Sequence, residues 1–160
     1  ESGADVLIVE DDIASRESTL ISPAHFDAFV APYNKRVLDY AHKLGLKVVR
    51  HSDGNLWSIL DRLIDMGYDG LNPLEEDAGM SLKKVKDYCG DRICLAGNID
   101  CGELLCNGSE KSVEEAVISA INDAGPGGGY ILCSSNSIHP GINPHNFIAM
   151  VNAAKKYGGY

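Results

Sequence analysis

The stretch Arg50-His51-Ser52-Asp53-Gly54-Asn55 lies between the apolar run LKVV and the helix-like LWSILDRLIDMG. A turn from strand to helix needs only Gly, Asn or Ser. This one sets an imidazole two positions from a carboxylate, groups that move protons, ligate metal or grip a polar ligand. The pattern recurs. Glu10, Asp11 and Asp12 follow an apolar run at 5–10, and Asn72, Glu75, Glu76 and Asp77 close the run at 69–74. Asn98 and Asp100 close 93–98, and Ser134, Ser135, Asn136, Ser137 and His139 close 129–135. Asp and Asn in any single turn ordinarily cap the next helix, and a lone His ordinarily packs. Convergence changes the reading: if all five turns open on one mouth, carboxylates and imidazole crowd together and perturb one another's proton affinity.

The elements that must position these groups are legible as an alternation. Strands are predicted at 5–10, 47–51, 69–74, 93–98 and 129–135; the first, second and last are nearly continuous in apolar or β-branched residues, as strands buried on both faces are. Ser22-Pro23 reads as a helix cap followed by proline at the first helical position. Beyond it Phe26, Phe29, Val30, Tyr33, Val37, Tyr40, Ala41 and Leu44 recur at helical spacing, which predicts one buried stripe ending at Gly45. Pro32 predicts a break within it. Further helices are expected over 55–66, 81–89 and 112–124, the last carrying Val113, Ala116, Val117, Ala120 and Ile121. A final helix begins at Asn143-Pro144 and is expected to bury Phe147, Ile148, Val151 and Ala154.

Strict βα alternation implies an α/β fold of consecutive parallel βα units. It suits either an open doubly wound sheet or part of a (β/α)8 TIM barrel, since five units cannot close a barrel that usually takes ~250 residues. In both, ligands bind at the carboxyl ends of the strands. An unclosed sheet is expected to expose residues such as Leu7, Val9 and Ile131 and so to favour a homo-oligomer or another partner. GPGGGY at 125–130 precedes a strand and reads as a tight turn rather than a phosphate cradle.

The 160 residues carry a formal net charge of -9, which repels a nucleic-acid backbone. No apolar run reaches the ~20 residues that span a bilayer. The five cysteines are odd in number and form no CxxC pair, which suits reduced thiols in the cytoplasm. His51, Asp53 and Cys133 make the only metal trio the spacing offers, and only if the second and fifth strands meet across a barrel. No metal is expected.

The segments GADVLIVEDD, SPAHFDAFVAPYNKRV, HSDGN, LNPLE, VKDYCGDRICLAGNID and YILCSSNSIHPGINPHNF together resemble the uroporphyrinogen decarboxylase family, along almost the whole chain. That family holds both haem-pathway decarboxylases and corrinoid-dependent methyltransferases on a (β/α)8 barrel. The resemblance implies that this chain corresponds to the carboxyl half, about the fourth strand to the eighth, as a single domain over 1–160 that pairs with an amino half. Decarboxylases of the family usually place Gly-His-Gly after the last strand, where this chain has Ser135-Asn136-Ser137. Its zinc-dependent thiol methyltransferases use a His-x-Cys pair with a later Cys, where this chain has His51-Ser52-Asp53. HSDGN with SSNSIHPG is similar instead to members that move a methyl group between a corrinoid protein and tetrahydrofolate. The implied activity is that transfer, with uroporphyrinogen decarboxylation and a catalytically incomplete half-barrel as alternatives. In the implied site His51, Asp53 and Glu10 are the catalytic groups. Asp11, Asp12, Asn72, Glu75, Asn98, Asp100, Ser134, Asn136 and His139 bind substrate, with Asn72, Asn98 and Asp100 meeting a pterin's amide and amine edge.

Overall fold

A computed structural model describes residues 3–159. Five parallel strands form one sheet in the order β1-β2-β3-β4-β5, with β1 at Val6–Val9, β2 at Lys47–His51, β3 at Gly70–Asn72, β4 at Cys94–Ile99 and β5 at Tyr130–Ser134. Spatial order follows chain order without reversal. A doubly wound sheet reverses direction at a switch point, so this sheet is an arc of barrel wall. The helices are α1 (Pro23–Phe29), α2 (Ala31–Lys43), α3 (Leu60–Met66), α4 (Leu82–Cys89), α5 (Leu104–Asn107), α6 (Glu110–Ala124) and α7 (Pro144–Tyr157). Among the described residues no helix is long and apolar enough to cross a membrane.

Local chemistry sets the helix boundaries. The Ser22 side chain accepts from the His25 N–H, Ser109 from Ser112 and Asn143 from His145, and proline stands in the first turn behind Ser22 and Asn143. The break expected at Pro32 falls at Val30: α1 ends, and Pro32 enters the first turn of α2, where its missing N–H costs nothing.

One face of the sheet packs on helices and the other does not. Register aligns Val9, Arg50 and Leu71 on the helix side, with Leu95 and Tyr130 continuing the row. Arg50, Leu71 and Leu95 are at most 1% exposed. On the opposite face Ile8, Val49, Gly70 and Cys94 form one row, and His51 pairs with Asn72 nearer the carboxyl end. Among the described residues nothing covers that face at its edges: Ile8 is 53% and Ile131 56% exposed. Exposure of Ile131 matches expectation, but on β1 it falls on Val6 and Ile8, while Leu7 and Val9 pack against the core. The two-residue period of a strand sends neighbours to opposite faces.

Two helical faces also differ from expectation. Of the stripe along α1 and α2, Phe26 and Ala41 are buried and Val30 packs partly, but Phe29, Tyr33, Val37, Tyr40 and Leu44 are exposed; Leu38 supplies the core contact instead. In α7 the buried positions are Asn146, Met150 and Ala153, and Ile148 faces out. A buried asparagine turns that face because its Nδ2 serves the Leu105 and Gly108 carbonyls at 3.2 and 2.8 Å, satisfying the end of α5.

Candidate functional site

The carboxyl ends of β1 and β2 are locked together. The Arg50 guanidinium donates to the Asp11 carbonyl, and Ser52 Oγ accepts from the Ile13 N–H at 3.1 Å. The Asp53 N–H donates to Asp12 Oδ1 at 2.9 Å and the Asn55 N–H to the Ser15 carbonyl at 2.7 Å. Gly54, at φ +88°, lies so close to the same loop that a Cβ would stand 2.6 Å from the Ser15 carbonyl oxygen. Its own N–H donates to Glu75 Oε2 at 2.8 Å, tying in the loop after β3. A His51 ring nitrogen lies within 4.8 Å of an Asp12 oxygen, but the ring makes its hydrogen bond elsewhere.

His51 faces along the uncovered side of the sheet. Its Nδ1 lies 2.8 Å from Asn72 Oδ1, and Asn72 Nδ2 donates to Cys133 Sγ at 3.5 Å. With the amide nitrogen committed to sulfur, the amide oxygen accepts from Nδ1–H, which leaves the Nε2 lone pair free in the neutral ring. That lone pair faces Asp53 Oδ1 at 3.9 Å, too far for a direct hydrogen bond. Asp53 Oδ2 is held by Asn136 Nδ2 at 2.7 Å, whereas Oδ1 is shut off from solvent without a partner. Burial first, and then the Asp12 charge, push the Asp53 carboxyl above its ordinary range, against the pull of His51 and Asn136. An imidazole lone pair and an unsatisfied carboxylate oxygen thus converge on one point.

The expected set divides accordingly. His51, Asp53, Asp12, Asn72, Glu75 and Asn136 come together, and Asp11 joins through its main chain. Glu10 is exposed and makes no hydrogen bond or ion pair with this network among the described residues. Asp100 turns its oxygens onto the Gly102, Glu103 and Leu104 N–H groups. Burial alone would raise its carboxyl, but those donors outweigh it and hold it below the usual value. Asn98 Nδ2 donates to the Leu74 carbonyl at 2.9 Å, and Ser134 Oγ to the Asn136 carbonyl at 2.7 Å. His139 is engaged at both nitrogens, with Nδ1 accepting from the Gly141 N–H and Nε2 facing the Cys101 carbonyl, so it pins one loop to another. Asn72 and Asp100 likewise have hydrogen-bond partners within the chain.

Sequence reasoning passed over Arg50, Ser52 and Gly54 as partners of the first loop. The available signal was a charge inside an otherwise apolar strand run. A cleft of about 410 Å³ opens beside Asn136 and Glu75, lined also by Arg16, Asp77, Asp100 and Glu103. Arg16 reaches across it to Asp77 at 3.5 Å. The larger hollow, about 870 Å³, lies away from these groups, along the exposed apolar face of α2.

Asp12, His51 and Asp53 are the one trio of metal-ligating types, among the described residues, whose ligand atoms all lie within 4.8 Å of one another. Asp12 therefore takes the place expected for Cys133, because Asn72 stands between that thiol and His51. Burial raises the Cys133 thiol's pKa, disfavouring the thiolate a soft metal prefers. One imidazole and two carboxylates form a harder donor set than the thiolate pair of a thiol-activating zinc centre.

The chain matches the family described as Uroporphyrinogen decarboxylase (URO-D) over residues 1–157. It is 31% identical over 157 residues to the methylcobamide:CoM methyltransferase MtbA of Methanosarcina mazei, covering 98% of this chain and 43% of that protein. It is 29% identical over 128 residues to the uroporphyrinogen decarboxylase of Dichelobacter nodosus, covering 80% of this chain and 35% of that protein. A solved structure of a methyltransferase from Methanosarcina mazei superposes with a TM-score of 0.78 at 28% identity, again over 98% of this chain and 43% of the other. The chain spans less than half the length of these relatives.

Proposed function

Because this chain belongs to the uroporphyrinogen decarboxylase family, as an enzyme of that family, we propose that it forms the working end of a methyltransferase. In this reading it moves a methyl group between a corrinoid protein and tetrahydrofolate in the cytoplasm. The activity belongs to a barrel completed by further βα units, in the same polypeptide or in a partner; alone, the chain is catalytically incomplete. The observation that carries the reading is the convergence of His51 Nε2 and the unpartnered Asp53 Oδ1 at the mouth of the sheet.

A bound methylated corrinoid would supply the methyl group as an electrophile and would keep the electron pair of the bond that breaks. An acceptor nitrogen that takes it must shed a proton, and His51 Nε2 is free to receive that proton because Asn72 occupies Nδ1. Asp53, held by Asn136 and by Asp12, orients and stabilises the resulting imidazolium. The remaining task is alignment of the two reactants, which the cleft walls perform. A nitrogen acceptor needs no thiolate-bound zinc, in keeping with the donor set at His51, and no catalytic zinc is part of this reading.

Transfer to CoM, the acceptor named for the Methanosarcina relatives, is the second reading, favoured by their similarity along the chain. Uroporphyrinogen decarboxylation is less well supported: Glu75, Glu76, Asp77, Asp100 and Glu103 surround a single Arg16 in the cleft, a poor host for a polycarboxylate. The test assays the completed enzyme with methylated corrinoid protein and either tetrahydrofolate or CoM, and separately with uroporphyrinogen. Turnover with tetrahydrofolate, slowed ~100-fold or more by His51→Asn in a folded protein, is expected on losing a positioned base. Wild-type rates from that variant, or turnover confined to CoM or uroporphyrinogen, overturn the assignment.

A further inference from the structure

Arg50 sits in β2 on the helix side, next to His51 but pointing the other way, and is 1% exposed. Its guanidinium cannot shed its charge, and a buried charge is normally paired with a carboxylate. Among the described residues no ion pair includes Arg50. Its hydrogen bond goes to the main-chain carbonyl of Asp11, and its Nε has no partner. Around it are Asn34 and the buried Tyr68: the Tyr68 hydroxyl and Asn34 Nδ2 meet no partner at hydrogen-bond geometry, although burial raises the hydroxyl's pKa and the guanidinium lies near enough for its charge to pull against that rise. An apolar residue would fill this space at lower cost, since uncompensated buried charges seldom stabilise a fold. Stability therefore does not account for an arginine here.

What the guanidinium does hold is Asp11, the neighbour of Asp12 in the loop after β1. From that point the loop meets the RHSDGN turn through the Ile13–Ser52, Asp12–Asp53 and Ser15–Asn55 bonds, which bring Asp12 to the Asp53 backbone beside His51. The geometry points to Arg50 as a positioning residue: from the far side of the sheet it anchors the loop after β1 so that Asp12 stays docked against the His51–Asp53 end. The role rests on the reading that this end is the working one, but its test requires no turnover, so failure of the methyl-transfer assignment leaves the test intact.

Arg50→Met and Arg50→Lys in this chain, compared by amide hydrogen exchange and thermal melting, decide it. Methionine keeps length and packing and removes the donors; lysine restores a charged donor without the planar fork. Exchange at Ile13, Asp53 and Asn55 is expected to quicken about ten- to a hundredfold in Arg50→Met, the scale of one lost charge-assisted hydrogen bond. Arg50→Lys is expected to recover part of that loss, while the Leu95 amide, bonded to the Gly129 carbonyl within the sheet, exchanges as in the parent. Unchanged exchange at the three loop amides overturns the proposal. So does faster exchange throughout the sheet with a lowered melting temperature, which would make Arg50 a general stability residue. If Arg50→Met does not fold, the same criteria apply to Arg50→Lys, and failure of both to fold also overturns the positioning role.

Discussion

Gly54→Ala is expected to weaken the protein far more than Gly45→Ala, although both glycines have a left-handed backbone. At Gly45, φ is +78° and an added Cβ meets nothing within 4 Å, so the cost is the backbone penalty alone, about 1 kcal/mol. At Gly54 the penalty is similar, but the Cβ would stand 2.6 Å from the Ser15 carbonyl oxygen and 2.7 Å from the Ala14 carbonyl. Restoring ordinary contact requires the 14–15 backbone to retreat by roughly 0.7 Å, beyond what close-packed atoms absorb without rearrangement. That retreat stretches the Asn55–Ser15 bond, now 2.7 Å, and the Ile13–Ser52 bond, now 3.1 Å, past useful length. At about 1 kcal/mol for each bond, Gly54→Ala should lie about 2 kcal/mol below Gly45→Ala. Urea unfolding of both variants and the parent, with equal slopes, measures the gap. Two variants equal within about 0.5 kcal/mol would refute the docking of the two loops as the reason for this glycine.

Asp100→Ala is expected to cost about 1 kcal/mol at pH 7, the scale of a lost side-chain cap. The Asp100 carboxyl is held below its ordinary pKa in the fold, so its contribution is full above the unfolded value near 3.9 and is lost as pH falls through the lowered folded value. Urea midpoints of parent and variant should therefore converge in strong acid; a gap that widens there contradicts the assignment. The exposed face of Tyr33, Val37, Tyr40 and Leu44 predicts self-association of the isolated chain at micromolar concentration, relieved by Tyr33→Glu with Tyr40→Glu. Light scattering that finds the parent already monomeric counts against this.

The alternation of strand and helix was legible because its causes are local. Parallel strands buried within a sheet read as apolar runs, and Ser22, Ser109 and Asn143 cap helices through atoms two or three residues away. Periodicity was less informative about burial. It grouped Tyr33, Val37, Tyr40 and Leu44 on one face of α2 correctly, but it carries no information on whether this chain supplies anything to cover that face. In α7 the pattern pointed to Phe147, Ile148, Val151 and Ala154; Phe147 and Val151 do pack partly on the core, but Ile148 faces out and the fully buried positions include Asn146, which has carbonyls to satisfy.

The candidate site divides in the same way. That His51, Asp53, Asp12, Asn72 and Asn136 sit at strand ends follows from the sequence by itself, since the alternation places the ends and the parallel arrangement puts them on one rim. Which of them touch was decided by tertiary structure. Asp53 takes partners 41 and 83 residues away, in Asp12 and Asn136, and Asn72 separates His51 from a cysteine 61 residues further along the chain. Contacts at such separations depend on strand register and on where each loop folds back, and both are set by packing of the whole sheet. A sequence can therefore specify which chemical groups reach the mouth, while strand register and the docking of the loops decide that Asp12, rather than Cys133, stands beside His51 and Asp53.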